Sequence, residues 1–123
     1  MVKSIFINAF TREITEVEIP TNNVLRETYR LVGNGCNLVQ TGAYFKDGDS
    51  LMVDEEGYFK EGLDGFYIHD KGFFYGNGVI WGVNLENGDS ANCKTSIDEI
   101  KNNLIWVDKV KCAVMREKIL NNL

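Results

Sequence analysis

The chain has 123 residues, 44% of them apolar and 25% charged, enough for one folded domain and hardly enough for two. Net charge is −5, and residues 1–93 carry 7 Lys/Arg against 14 Asp/Glu, so most of the chain would repel a phosphate backbone and broad duplex DNA or RNA binding is excluded. No run of 18 apolar residues occurs, which excludes a transmembrane helix.

Residues 94–123 reverse the balance, with 6 basic against 4 acidic residues. Cys36, Cys93 and Cys112 are widely spaced, without a CxxC pair, and His69 is the single histidine. That is too little for a disulfide framework or a zinc site. The cysteines are expected as buried thiols of a cytoplasmic protein, and no cofactor or metal is expected. The opening MVKSIFINAF reads as a first strand, not a signal peptide.

Ser4–Phe10 and Glu13–Ile19 alternate with period two and predict a hairpin around Asn8–Arg12, with a slip near Thr15 marking a bulge or a strand start. Pro20 ends the second strand. Asn22 or Asn23 is placed to cap a helix over Val24–Val32, which Gly33 stops. Arg26 and Arg30, four apart, form a solvated face or an anion grip.

Short strands follow, at Cys36–Thr41, Ser50–Asp54, Gly57–Lys60, Gly65–His69, Val79–Asn84 and Ser90–Cys93. The turns KDGD, DEEG, DKG and ENGD separate them. No connection is long enough for a crossover helix, so the sheet is antiparallel or mixed. Ser96 and Glu99 spell a capping box for a helix through Ile97, Ile100 and Leu104. Ile105, Trp106 and Val107 make an apolar knot, and Asp108 is placed to cap a last helix. Its apolar residues, from Val110 through Val114, Met115 and Ile119 to Leu120 and Leu123, exceed one stripe and suit a partner subunit as well as the sheet. The expectation is an α+β fold: a small sheet with one early helix over residues 1–93, then C-terminal helices over 94–123, in a single domain.

Candidate chemistry is sparse. Asp54, Glu55 and Glu56 sit in a turn, where acids bond local backbone. Asp47 and Asp49 flank Gly48 without the remaining ligands of a calcium loop. His69 needs an orienting partner and a nucleophile, and Asp70, its neighbour in a strand, is expected to point to the opposite face. The stretch FFYGNGVIWGVNLENGDSANC, Phe73–Cys93, offers more for binding. Phe73, Phe74 or Trp81 beside glycines could stack a base, and the amides of Asn84 and Asn92 could read polar edges. Arg116 on the last helix could clamp a diphosphate, and the ordinary reading is a surface arginine.

Three groups of segments taken in order, FINAFTREITEVEI, then GNGCNLVQTG with LMVDEEGYF, then GNGVIWGVNLENGDS with TSIDEI, resemble small phage-encoded proteins over about residues 3–104. Within that neighbourhood lie the phage proteins that counter the bacterial Thoeris defence. The resemblance implies a sheet followed by C-terminal helices that build a homodimer or higher homo-oligomer. It also implies a non-catalytic sponge that sequesters a cyclic ADP-ribose-like nucleotide intact. Such a ligand needs a stacking aromatic, an amide and an arginine. Phe73, Phe74 or Trp81, with Asn84, Asn92 and Arg116, are chosen for it by chemistry, not by a family motif. The alternatives are a phage interaction protein that inhibits a host protein through its acidic surface, and a small nucleotide hydrolase using His69.

Overall fold

Strand β1 (Val2–Asn8) alternates Ile5 and Ile7 on one face with Val2, Ser4 and Phe6 on the other, so both faces need cover. The computed structural model, which describes residues 1–121, supplies both covers. β1 pairs with β2 (Glu13–Ile19) and β7 (Gly78–Val83), and β7 pairs in turn with β4 (Ser50–Asp54), which pairs with β3 (Val39–Tyr44). The large sheet therefore runs β2-β1-β7-β4-β3, with the two-residue β8 (Ser90–Ala91) added to the end of β7. A smaller sheet has the order β6-β5-β9, from β5 (Gly65–Ile68), β6 (Gly72–Tyr75) and β9 (Leu104–Val107). Every pairing is antiparallel, and with three helices the fold is α+β as expected.

One face of the large sheet is covered by α1 (Val24–Val32), whose Val24 and Val32 pack with Val2, Ile19, Val39, Met52 and Val79. The other face meets the small sheet and α2 (Ile97–Asn103). There Ile5, Ile7, Leu51, Val53 and Ile80 close on Phe66, Ile68, Phe74 and Ile100. Each such side chain contributes about 1.5–3 kcal/mol by leaving water. The last helix, α3 (Lys109–Asn121), lies beyond the small sheet and buries Cys112 among its residues. No helix among the described residues is long and apolar enough to cross a membrane.

The helix over Val24–Val32 falls where its spacing put it, and Gly33 closes it at φ 62° with its N–H on Tyr29 O at 2.9 Å. Asn23 is the N-cap by position, but its side chain makes no capping bond. Ser96 does cap α2, accepting from Glu99 N at 3.1 Å, and Asp108 accepts from Lys111 N at 2.9 Å at the start of α3. Three expectations are corrected. The β1–β2 register is unbroken through Thr15; Ile14 turns to the small-sheet side and Val17 and Ile19 to the α1 side, which mimics a slip. The irregularity lies instead in β3 between Thr41 and Ala43, where the Phe74 ring comes within 2.7 Å of where a Gly42 Cβ would stand. Gly57–Lys60 is not a strand but begins with a 3₁₀ turn, Gly57–Phe59, after Asp54 Oδ1 accepts from Glu56 N at 2.9 Å. The apolar knot after α2 is strand β9, which shields β5. Leu123 lies outside the described residues.

One carboxylate pins the layers. Asp49, 0% exposed, accepts at Oδ2 from Lys94 N, Thr95 N, Thr95 Oγ1 and Cys93 Sγ, at 2.7–3.3 Å. This joins the end of the β3–β4 turn to the entry of α2, and it absorbs the acid that sequence reading had set beside Asp47 in a calcium-like fragment. Removing the carboxylate orphans several buried donors at once. Asp49→Ala is expected to lose about 3 kcal/mol or more in urea denaturation, and Glu86→Ala, at an exposed turn, to stay within about 0.5 kcal/mol of the parent.

Candidate functional site

The edge strand of the small sheet, β6, comes to face β3 and β4 of the large one. Gly76 N bonds Asp64 O at 2.7 Å, so the paired groups of β6 toward β5 belong to alternate residues, and the backbone of Phe73 and Tyr75 points away from the sheet. At one end of the gap, Lys71 Nζ donates to Tyr44 O at 2.6 Å and stands 5.1 Å above the Phe45 ring. At the other, the 3₁₀ turn brings Gly57 so close that a Cβ there would lie 3.1 Å from Tyr75 O. Beside the Gly57 turn lies a cleft of about 320 Å³. Tyr58, Phe73, Phe74 and Tyr75 supply its aromatic wall, Val53 and Ile119 its aliphatic part, and Gln40, Asp54 and Glu55 its polar rim.

The wall is ordered by aromatic contacts. Phe73 and Tyr75 meet edge to face at 4.6 Å, and Phe74 tilts against Phe66 at 5.4 Å. Asp54 is buried and paired with Lys60, whose Nζ also donates to Asn34 O at 3.0 Å. Glu55 is exposed at the rim. The Tyr75 hydroxyl is buried without a hydrogen-bond partner among the described residues, and burial pushes its phenol pKa up. Arg116 on α3 stands near enough to oppose that shift. Its Nη1 donates to Lys60 O at 3.1 Å, and its Nη2 lies 3.9 Å from the exposed Glu61 carboxylate.

The six residues singled out in the sequence do not assemble into one pocket. Phe73 and Phe74 line the cleft, with Phe74 mostly committed to the core, and Arg116 lies one helical turn before Ile119 at its back. Trp81 is on the opposite face of the large sheet, in the cluster under α1. Asn84 opens the β7–β8 turn, its Oδ1 accepting from Glu86 N at 2.9 Å. Asn92 holds the start of β1, its Oδ1 accepting from Lys3 N at 2.8 Å, and Asn92 O lies so close to Gly82 that no side chain fits there. Sequence reasoning missed Gln40, Glu55, Tyr58 and Tyr75. Tyr58, directly after DEEG, carried a signal: an aromatic next to a turn acid. Nothing local marked Gln40.

The remaining reactive groups are accounted for locally. Against the expectation that they point to opposite faces, His69 Nε2 is 3.4 Å from Asp70 Oδ2, in a pair 68% and 82% exposed, because Asp70 leaves the strand at a positive φ of 64°. Arg30 is gripped by Glu27, which supports the solvated-face reading of α1. Among the described residues no three potential metal ligands cluster. No family model, curated protein or solved structure matches the chain.

Burial, with a hydrogen bond to Asp49, pushes the Cys93 thiol up to about 12, and burial raises Cys112 to about 11, both from 9.0. In the unfolded chain these thiols ionise near pH 9, while the folded chain keeps its protons. Stability is therefore full below pH 9 and falls as pH rises toward 11 and 12, by about 1.4 kcal/mol per pH unit for each thiol. Urea midpoints measured from about pH 8 to about pH 10.5 should fall, and a Cys93→Ala/Cys112→Ala double variant should show a shallower slope.

Proposed function

We propose that this protein is a binder and not a catalyst, and that it holds a flat heterocycle in the cleft between β6 and β3. The particular ligand proposed is a cyclic ADP-ribose-like nucleotide sequestered intact, the activity implied by the resemblance to phage anti-Thoeris proteins. The observation that carries the reading is the meeting of Tyr58, Phe73 and Tyr75 around one opening rimmed by Gln40 and Glu55. Aromatic faces stack any base, and an amide beside a carboxylate offers an acceptor pair to an exocyclic amine. At about 320 Å³ the cleft is at the small end of ligand sites, with room for a base and sugar. The acidic rim turns phosphates outward, toward the side of Arg116, a side chain 15% exposed whose Nη2 has, among the described residues, a carboxylate partner only at 3.9 Å.

The reading includes a homodimer through α3. Val110, Val114, Met115, Ile119 and Leu120 are all exposed on this helix, Val110 at 66%. A second copy laid on them would cover Ile119, extend the wall of the cleft, and bring the cations of its own α3, Lys109, Lys111 and Lys118, toward the phosphates.

Titration calorimetry with cyclic ADP-ribose isomers is expected to give saturable heat, with the nucleotide recovered unchanged by chromatography; no heat with any isomer overturns the ligand. Phe73→Ala should weaken binding about tenfold or more, the worth of one stacked base, and Trp81→Phe should leave it intact. In size-exclusion chromatography the parent should elute as a dimer and Val114→Glu as a monomer; a monomeric parent removes the α3 interface.

A further inference from the structure

The chain contains three Asn-Gly steps, Asn34–Gly35, Asn77–Gly78 and Asn87–Gly88. Such a step can cyclise when the glycine nitrogen is free to attack the asparagine amide, because glycine puts no side chain in the way. Two of the three are restrained. Asn77 Oδ1 accepts from Ala9 N at 2.8 Å, its Nδ2 faces the carbonyls of Leu31 and Val32 at 3.4 and 3.5 Å, and Gly78 is buried in β7. At the exposed Asn87 step, Gly88 N donates to Asn84 O at 2.7 Å, and Asn87 Oδ1 accepts from Asp89 N at 2.9 Å.

The third step is open. Asn34 and Gly35 are exposed and occupy the centre of a turn closed by Cys36 N on Gly33 O at 3.0 Å. Their φ values, 55° and 69°, are those of a type I′ turn, in which the middle N–H faces solvent. Gly35 N has no hydrogen-bond partner among the described residues, and nothing lies within 4 Å of where a Gly35 Cβ would stand. The Asn34 side chain is restrained by a single 3.3 Å bond from Nδ2 to Val32 O.

We propose that Asn34 is a modification site, at which the folded protein deamidates to isoaspartate and aspartate while the other two steps are spared. The Gly35 backbone nitrogen gives up its proton and bonds to Asn34 Cγ, and the side-chain nitrogen leaves as ammonia, giving a five-membered imide. Water then adds to one imide carbonyl and breaks that C–N bond. Opening at the backbone carbonyl routes the chain through the former side chain as isoaspartate; opening at the other restores the backbone as aspartate. The isoaspartate product places its new carboxylate at the former Asn34 main-chain carbonyl, the group that Lys60 Nζ bonds while it pairs with Asp54 at the rim of the cleft. The proposal is independent of the ligand reading, since the conversion is read on the protein alone.

The test is peptide mapping by mass spectrometry, with isoaspartyl methyltransferase labelling, after incubation of the whole protein at mildly alkaline pH, folded and in urea. Folded parent should convert at Asn34 at least about tenfold faster than at Asn87 or Asn77, the factor that one hydrogen bond to be broken first would impose. In urea the three rates should converge, and folded Asn34→Gln should take no label at position 34. Conversion at Asn87 or Asn77 as fast as at Asn34 in the folded protein overturns the proposal. So does an intact Asn34 in folded protein after the urea sample has been converted.

Discussion

Both faces of β7 are dry. Val79 on one side and Ile80 on the other are 0% exposed, and this strand pairs with β1 over residues 78–80 and with β4 over 78–81. A strand buried twice over demands two covers, and a chain of this size has little to spare for them. It spends α1 on one side. On the other it uses a second, three-stranded sheet with α2, a thinner cover than a long helix pair but one that carries more aromatic surface.

The cleft follows from that choice. A sheet laid on a sheet leaves edges, and an unpaired edge has to be managed. Here β6 and β3 are the two edges that come near each other, and neither pairs with the other. Lys71 ties them at one end, and the turn at Gly57 plugs the other. The cleft beside that turn is lined by whatever β6 presents, and β6 reads Gly-Phe-Phe-Tyr. Phe74 turns toward the large sheet and fills the notch at Gly42, while Phe73 and Tyr75 take the opposite side of β6, where Tyr75 is also buried. The aromatic character of the opening is thus tied to the packing of the core: the same short strand does both, on alternate residues.

Features written in neighbouring residues were legible in the sequence. The span of α1, the Ser96 cap, the Asp108 cap and the β1–β2 hairpin each depend on spacing within a few positions. Features that depend on distant partners were not. The stretch Phe73–Cys93 looked like one hairpin system, yet it begins in the small sheet and crosses at Gly76–Asn77 into the large one. Gly76-Asn77-Gly78 marks a break between Tyr75 and Val79, but it does not say that the strands on its two sides belong to different sheets. Asn84 and Asn92 drew notice as polar residues in strands, and their oxygens cap nearby or cross-strand N–H groups instead. Gln40 and Tyr58 became site residues only because β3 and the 3₁₀ turn meet β6, a contact with no trace in composition or period.

The central place of β7 also sets when the protein can become itself. β1 and β4 are made early, but neither can complete its pairing until residues 78–83 exist, and the Asn77 side chain that reaches Ala9 does so across 68 positions. Until then the hairpin β1–β2 and the pair β3–β4 each lack the partner of their inner edge, two halves of a sheet without their middle. Closure of both in one late event is slow by its long loops, and the waiting edges are open to the wrong strand from another chain. The acids along β2, Glu13, Glu16 and Glu18, charge the outer edge of that hairpin, which stays an edge in the finished sheet, whereas the inner edge on β1 is covered only when β7 arrives.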